Sequence, residues 1–236
     1  MQAMERTPHW CIVMPAYNEE DNIDFVFQDI FAFFDKLGHP FHILVVNDGS
    51  TDATGTIIDA WRKRFEDRIQ VVTHETNKGF GEALLSGYAN ATGDLAVVFP
   101  SDRQFRAEDL ARCVPHLGEN TVIVTCRAKR NDPLARRLAS ATYRSVMKVL
   151  FGLSLRDINW IKIFPVSLLR EMTIESRGPM IDAEMLIKAK RAGADIVEID
   201  VPHYPRVAGK AKGATPFAIA KTFRDLFSLW NRLRKG

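Results

Sequence analysis

The sequence predicts an α/β protein built on one mostly parallel sheet flanked by helices. Three observations carry this. Short β-branched runs recur without polar alternation, as strands buried on both faces do. Helical patterns separate the early runs, so the order reads β-α-β-α-β-α-β. The polar loops follow strands one, two and four, and right-handed crossovers place them at the carboxyl edge, where open α/β sheets bind ligands. The length of 236 residues fits one large domain or a domain with a short appendage.

The strand runs are Trp10–Met14, Phe41–Val46, Ile69–Thr73, Leu95–Phe99, Thr121–Thr125 and Ile196–Val201. Over Asp21–Leu37, Ile23, Val26, Phe27, Ile30, Phe33, Phe34 and Leu37 share one helical face, closed by Gly38. Thr51 or Asp52 is placed to cap a second helix, with Ile57, Ile58, Trp61 and Phe65 inward. Gly79–Ala89 reads as a third helix. After Arg127 come a long helical candidate, Leu134–Leu150, and a basic C-terminal stretch. They read as additions to one domain: 1–213 as the domain, and 214–236 as a basic amphipathic helix packed on the domain or on a membrane surface.

Hydrophobic residues make up 46% and charged residues 26%, which excludes disorder, collagen and a disulfide miniprotein. The net charge is only +3, but its distribution is uneven. Residues 127–148 and 203–236 together carry +13, and the rest carries −10. Two basic segments on an acidic body face something anionic, or are two solvated helix faces. The longest uncharged run, Thr7–Asn18, is shorter than the roughly 18–20 residues of a membrane span. No signal-peptide pattern opens the chain. Cys11, Cys113 and Cys126 form no zinc or redox motif. Cys11 and Cys126 sit in apolar runs, as reduced core thiols of a cytosolic protein do.

The first edge loop is Pro15-Ala16-Tyr17-Asn18-Glu19-Glu20, the second Asn47-Asp48-Gly49-Ser50-Thr51-Asp52, and the third Pro100-Ser101-Asp102-Arg103-Gln104. Neither G-x-G-x-x-G nor a P-loop is present, against a dinucleotide enzyme or P-loop ATPase. Carboxylates and amides dominate instead. Such groups accept the N–H of a nucleobase, or hold a divalent cation that bridges phosphates.

These loops, with Asn77-Lys78-Gly79-Phe80-Gly81 and Gly93-Asp94 before strand four, resemble family 2 glycosyltransferases of the Rossmann-like GT-A fold, in particular dolichyl- and polyprenyl-phosphate sugar transferases. The resemblance spans about Cys11 to Gly213. It implies that Glu19 and Asp48 contact base and ribose, that Pro15 and Tyr17 shape the base pocket, and that Lys78 lies near the diphosphate. The family's Asp-x-Asp is here Pro100-Ser101-Asp102, with only the second Asp kept. Asp102 and Gln104 would hold Mg²⁺ or Mn²⁺. The competing reading makes Asp102 a cap for a helix from Ala107.

The resemblance also implies a lipid-phosphate acceptor. A phosphate oxygen is already anionic, so the chemistry needs cations rather than a base. Arg127, Arg136 and Ser140 match acceptor-phosphate positions, and Arg136 and Ser140 stand one turn apart. Arg206-Val207-Ala208-Gly209-Lys210-Ala211-Lys212 matches the family loop that closes over the diphosphate, with Ala211 in place of Ser; Arg206 and Lys212 complete the acceptor set. Asp102, Arg127, Arg136 and Arg206 form the expected catalytic group. Trp160 would line the sugar or acceptor pocket, or fill the core.

The expectation is an inverting glycosyltransferase that moves a sugar from a UDP- or GDP-sugar to a polyprenyl phosphate. It would sit peripherally at the cytosolic membrane face, alone or with a membrane partner subunit, and no nucleic acid is expected. Two alternatives stay open. One is transfer to a soluble hydroxyl, with Asp182 or Glu184 as base; the other is a noncatalytic nucleotide-sugar-binding module.

Overall fold

The structure, a computed structural model, describes residues 4, 6–128, 134–204 and 216–235. Within these, the side chains of 134–139, 179, 216–221, 223 and 235 are not among those described. The order is β1 (Trp10–Ala16), α1 (Ile23–Leu37), β2 (Phe41–Asn47), α2 (Thr54–Arg64), β3 (Ile69–Thr73), α3 (Phe80–Ala89), β4 (Leu95–Val98) and β5 (Thr121–Arg127). Then follow α4 (Leu134–Phe151), β6 (Lys162–Pro165), α5 (Val166–Glu171), α6 (Ile181–Arg191), β7 (Asp195–Val201) and α7 (Pro216–Lys235). Short 3₁₀ turns occupy Ala107–Arg112, Val114–His116 and Gly178–Met180.

One sheet runs β3-β2-β1-β4-β6-β5-β7. All six expected runs are strands in it. The seventh, β6, pairs antiparallel with both β4 and β5. Its four residues open on a lysine, so it lacks the apolar signature of the others. Being reversed, β6 starts at the edge where β4 and β5 end. That puts Lys162 and the residues before it on the ligand side of the sheet.

Alternation along β1 explains the two-layered core. Trp10, Ile12 and Met14 face α1 and join Phe27, Phe31 and Phe34, while Cys11 and Val13 face the opposite layer with Leu84, Met185 and Leu186. Each such fully buried side chain contributes about 1.5–3 kcal/mol. Gly87 lets α3 lie close on β1, since a Cβ there would stand 2.3 Å from Val13 Cγ1.

The α2 cap is more specific than expected. Asp52 Oδ1 accepts the Thr54 N–H at 3.0 Å, and Glu20 Oε2 accepts the Ala53 N–H at 2.8 Å. Thr51 is not the cap; its N–H donates to Asn18 Oδ1 at 2.9 Å. The helix α7 buries Leu226 and Leu229 completely, in the apolar cluster that holds Met147 of α4. Arg232 Nη2 adds a bond to Ser176 Oγ at 2.9 Å. Among the described residues, no helix is long and apolar enough to cross a membrane.

Candidate active site

Strand order reverses beside β1: the chain goes outward to β2 and β3, then returns to β4 on the other side. A crevice at such a switch point is where open α/β sheets bind ligands. The first and third edge loops meet there. Ser101, buried, donates from Oγ to the Pro15 carbonyl at 3.0 Å. The first loop is also stitched to the second. Asn18, at φ +53°, donates its N–H to Ser50 Oγ at 3.1 Å, and Glu19 donates its N–H to Thr54 Oγ1 at 2.8 Å. The result leaves Tyr17 exposed, Pro15 half-buried and Glu19 half-buried, with Glu19 Oε2 accepting from Asn22 Nδ2 at 2.9 Å.

Asp48 is the organiser of the second loop. It is 2% exposed and accepts the N–H groups of Lys78 at 2.9 Å and Gly79 at 2.8 Å. His74 Nδ1 lies 2.7 Å from the same carboxylate, and His74 Nε2 lies 2.9 Å from Ser86 Oγ. Asp48, expected at the base and ribose, holds the Asn77-Lys78-Gly79 loop in this structure. Those two amides are spent on Asp48, so a diphosphate would meet the exposed Lys78 side chain instead. The close approach depends on Gly49. It has φ +69°, and a Cβ there would fall 2.5 Å from the Thr76 carbonyl carbon.

In the third loop, Asp102 Oδ1 accepts the Gln104 N–H at 3.2 Å. Asp102 is not the cap of the turn from Ala107: Asp29 Oδ2 accepts that N–H at 2.7 Å. The reason is packing, since α1 brings Asp29 alongside the turn. Gln104 Nε2 lies 3.3 Å from Nε2 of His203, two residues beyond the end of β7. Sequence reasoning passed over His203, which sits in the basic C-terminal segment. The usable signal was its place just after the last expected strand run. Among the described residues, no three His, Cys, Asp or Glu side chains form a ready cation cage. Asp102 and Gln104 offer a carboxylate and a carboxamide oxygen, donors of the kind Mg²⁺ and Mn²⁺ take alongside phosphate and water, and His203 beside Gln104 adds an imidazole, a softer ligand.

Arg127, at the end of β5, is partly buried. Its Nε and Nη2 donate to the two oxygens of Asp157 at 2.7 and 2.9 Å. Its guanidinium lies 4.7 Å over the Trp160 ring, whose other neighbour is His203 at 5.2 Å, edge to face. Trp160 thus stands between Arg127 and His203. Ser140 is half-buried on α4; the Arg136 side chain, Arg206 and Lys212 lie outside the described residues.

The two acids of α6 are held by ion pairs. Asp182 Oδ1 is 2.8 Å from Nζ of the buried Lys162, which also donates to the Trp160 carbonyl at 2.7 Å. Glu184, 1% exposed, accepts the Ser176 N–H at 2.7 Å and pairs with Lys188 at 2.7 Å. Burial pushes the Glu184 carboxyl up, but the bonds from Lys188, Ser176 and Glu175 outweigh it and hold it below the usual glutamate value. A carboxylate so held is a poor proton acceptor.

Comparison with known proteins gives the family and the fold. The Glycosyl transferase family 2 profile matches residues 11–175. An undecaprenyl-phosphate 4-deoxy-4-formamido-L-arabinose transferase of Pectobacterium atrosepticum is 29% identical over 85% of this chain and 61% of its own. The protein of the same name from Yersinia enterocolitica is 30% identical over 66% of this chain and 48% of its own. The chain therefore spans about three fifths or less of the length of these relatives. Among solved structures, glucosyl-3-phosphoglycerate synthase from Mycobacterium tuberculosis with UDP superposes at a TM-score of 0.71, with 20% identity, over 95% of this chain and 80% of that one. The same enzyme with Mn²⁺, UDP and phosphoglyceric acid gives 0.70 at 22% identity, over 94% and 78%. The likeness to these structures is one of fold, and it is the GT-A fold expected from the loops. With the family profile covering most of its length, the chain belongs to glycosyl transferase family 2.

Proposed function

We propose that the chain is an inverting glycosyltransferase that moves a sugar from a UDP- or GDP-sugar onto a polyprenyl phosphate. The observation that carries this reading is the pairing at the β5–β6 end of the sheet. Arg127 stands there partly buried and held by Asp157, while the acids of α6, Asp182 and Glu184, are committed to ion pairs of their own. That arrangement suits an acceptor that arrives already ionised. The names of the relatives point to the same acceptor class.

The acceptor phosphate oxygen forms a bond to the anomeric carbon as the bond from that carbon to the donor diphosphate breaks. The electron pair leaves with the nucleoside diphosphate. Asp102 and Gln104, with His203 added, would hold a divalent cation, which supplies charge stabilisation to the leaving diphosphate. Tyr17, Pro15 and Glu19 frame the nucleoside end, and Lys78 meets the diphosphate. Arg127, Arg136, Ser140, Arg206 and Lys212 receive the acceptor. Val149 and Phe227 are 81% and 51% exposed on α4 and α7, among Arg144, Lys148 and Arg224. Such faces suit peripheral docking at the anionic cytosolic leaflet, with or without a membrane subunit.

The test is a thermal-shift panel of UDP- and GDP-sugars with Mn²⁺ or EDTA, followed by transfer to a polyprenyl phosphate. The expected result is stabilisation by one nucleotide class, dependent on the cation, and a glycosyl phospholipid product. Turnover on hydroxyl acceptors alone would transfer the assignment to the soluble-acceptor alternative. Donor binding with no turnover on any acceptor would leave a binding module.

A further inference from the structure

Trp160 has two charged or ionisable neighbours that belong to opposite halves of the proposed reaction. The Arg127 guanidinium lies 4.7 Å from its ring centroid, and His203 meets the ring at 5.2 Å and 74°. Arg127 belongs to the acceptor half, and His203, beside Gln104, to the donor and cation half. The ring cannot drift freely between them. Phe105, fully buried below the third loop, abuts it at 6.5 Å and 80°. Lys162 holds its backbone carbonyl, and Lys162 is itself pinned by Asp182. Arg127 is equally fixed from behind, by both oxygens of Asp157.

We infer that Trp160 is a positioning residue shared by the two half-sites, which couples occupation of the donor–cation site to the orientation of the arginine that receives the acceptor phosphate. The physical route is short. Gln104 Nε2 stands 3.3 Å from His203 Nε2, so a cation held by Asp102 and Gln104 would change the contact that orients the imidazole. The imidazole sets the tilt of the indole ring it abuts, and the indole face sets where the Arg127 guanidinium can lie, because the cation–π attraction is directional. Coupling of this kind is reciprocal, so the acceptor tightens the donor by the same factor. The inference rests on the donor and acceptor reading above.

The experiment measures a binding cycle by calorimetry, with UDP plus Mn²⁺ as one ligand and a short-chain polyprenyl phosphate as the other. If UDP does not serve, GDP replaces it. In the parent protein each ligand tightens the other several-fold. Trp160→Leu brings that factor to one and weakens the acceptor roughly fivefold, the size of one lost cation–π contact. Trp160→Phe, which keeps an aromatic face, retains most of the coupling. A merely structural role would lower the melting temperature or both affinities and leave the coupling factor untouched. An unchanged factor in Trp160→Leu, or a factor of one in the parent protein, overturns the inference. Failure of the parent protein to bind either nucleotide with Mn²⁺ overturns the proposed function instead.

Discussion

The Lys162–Asp182 pair gives the sharpest test of how this site is built. Lys162 is 3% exposed and Asp182 is 19% exposed, at 2.8 Å, so solvent does not screen the pair as it would a surface bridge. Asp182→Asn removes the countercharge and leaves an interior ammonium held by neutral oxygens among the described residues, the Trp160 carbonyl and the new carboxamide. Breaking a buried pair in this way costs about 3–5 kcal/mol. Lys162→Met leaves a carboxylate that still reaches some water, so its cost falls at the low end of that range. The double variant Lys162→Met, Asp182→Leu removes both charges and returns to within about 1–2 kcal/mol of the parent protein. For a chain of this size, about 2–4 °C accompanies each kcal/mol. Asp182→Asn therefore lowers the melting temperature by roughly 6–20 °C, and the double variant recovers most of that, as read by calorimetry or urea melts. Losses that simply add would refute the reasoning. The same double variant separates structure from chemistry. Removing a general base costs about 10²–10⁴ in rate. If transfer falls by that factor from Lys162→Met alone to the double variant, Asp182 is a base after all.

Burial, with His9 adjacent, lowers the His42 pKa to about 4, so the unfolded chain takes up a proton before the folded one does. Stability then falls as the pH drops from about 6.5 toward 4, by up to about 1.4 kcal/mol per unit, and is flat above; His42→Gln flattens that limb in urea melts, and an unchanged slope would remove His42 from the account. Burial raises the Cys11 thiol to about 11 and those of Cys113 and Cys126 to about 12. At pH 8 the native protein should leave all three unreactive toward a disulfide reagent over minutes, and release all three in denaturant. Two glycines of nearly equal φ should part company: Gly38, at +72° with open space around it, costs about 1 kcal/mol as alanine, whereas Gly49→Ala, at +69° against the Thr76 backbone, costs at least about 2 kcal/mol and frees the loop that Asp48 holds. Equal melting temperatures for the two variants would contradict the close-approach argument.

What could be read from the sequence followed the range of the interactions. Strands buried on both faces, as β1, β2 and β5 are, announce themselves in a few residues; β3 and β7 were legible by their β-branched content, but as the two sheet edges they are only partly buried, against the expectation. The reversed strand was not, because Lys162 heads it and its pairing with β4 and β5 is non-local. The edge loops were legible as ligand-bearing, since Asn, Asp and Gly cluster after strands. Their internal wiring was hidden. Asp48 is satisfied by amides and an imidazole from the segment after β3, 26 to 31 residues away. His203 reaches the third loop because β7 pairs with β5, with Val201 opposite Arg127. The Arg127–Asp157 clamp likewise joins a strand end to the approach of β6. Each of these contacts is specified by sheet order, which no local pattern contains.

The loss of one aspartate from the third loop acquires a physical sense in this setting. Pro100 can neither donate an N–H nor offer a carboxylate, and the Ser101 hydroxyl is spent on the Pro15 carbonyl. Asp102 is then the one acid in the proposed cation set, joined by two neutral donors. A set carrying a single negative charge attracts a divalent cation much less than a pair of carboxylates does. Mg²⁺ and Mn²⁺ are commonly held by one or two carboxylates together with substrate phosphates. On the proposed reading, most of the negative charge that retains the cation would be the donor's own diphosphate. Cation and nucleotide sugar would therefore enter as one unit, and the crevice would hold little cation between turnovers. The same economy of charge applies at Arg127, where Asp157 already offsets the guanidinium. On the proposed reading the surplus positive charge of the acceptor half comes from Arg136, Arg206 and Lys212, and the donor half gains its charge balance from the diphosphate it admits.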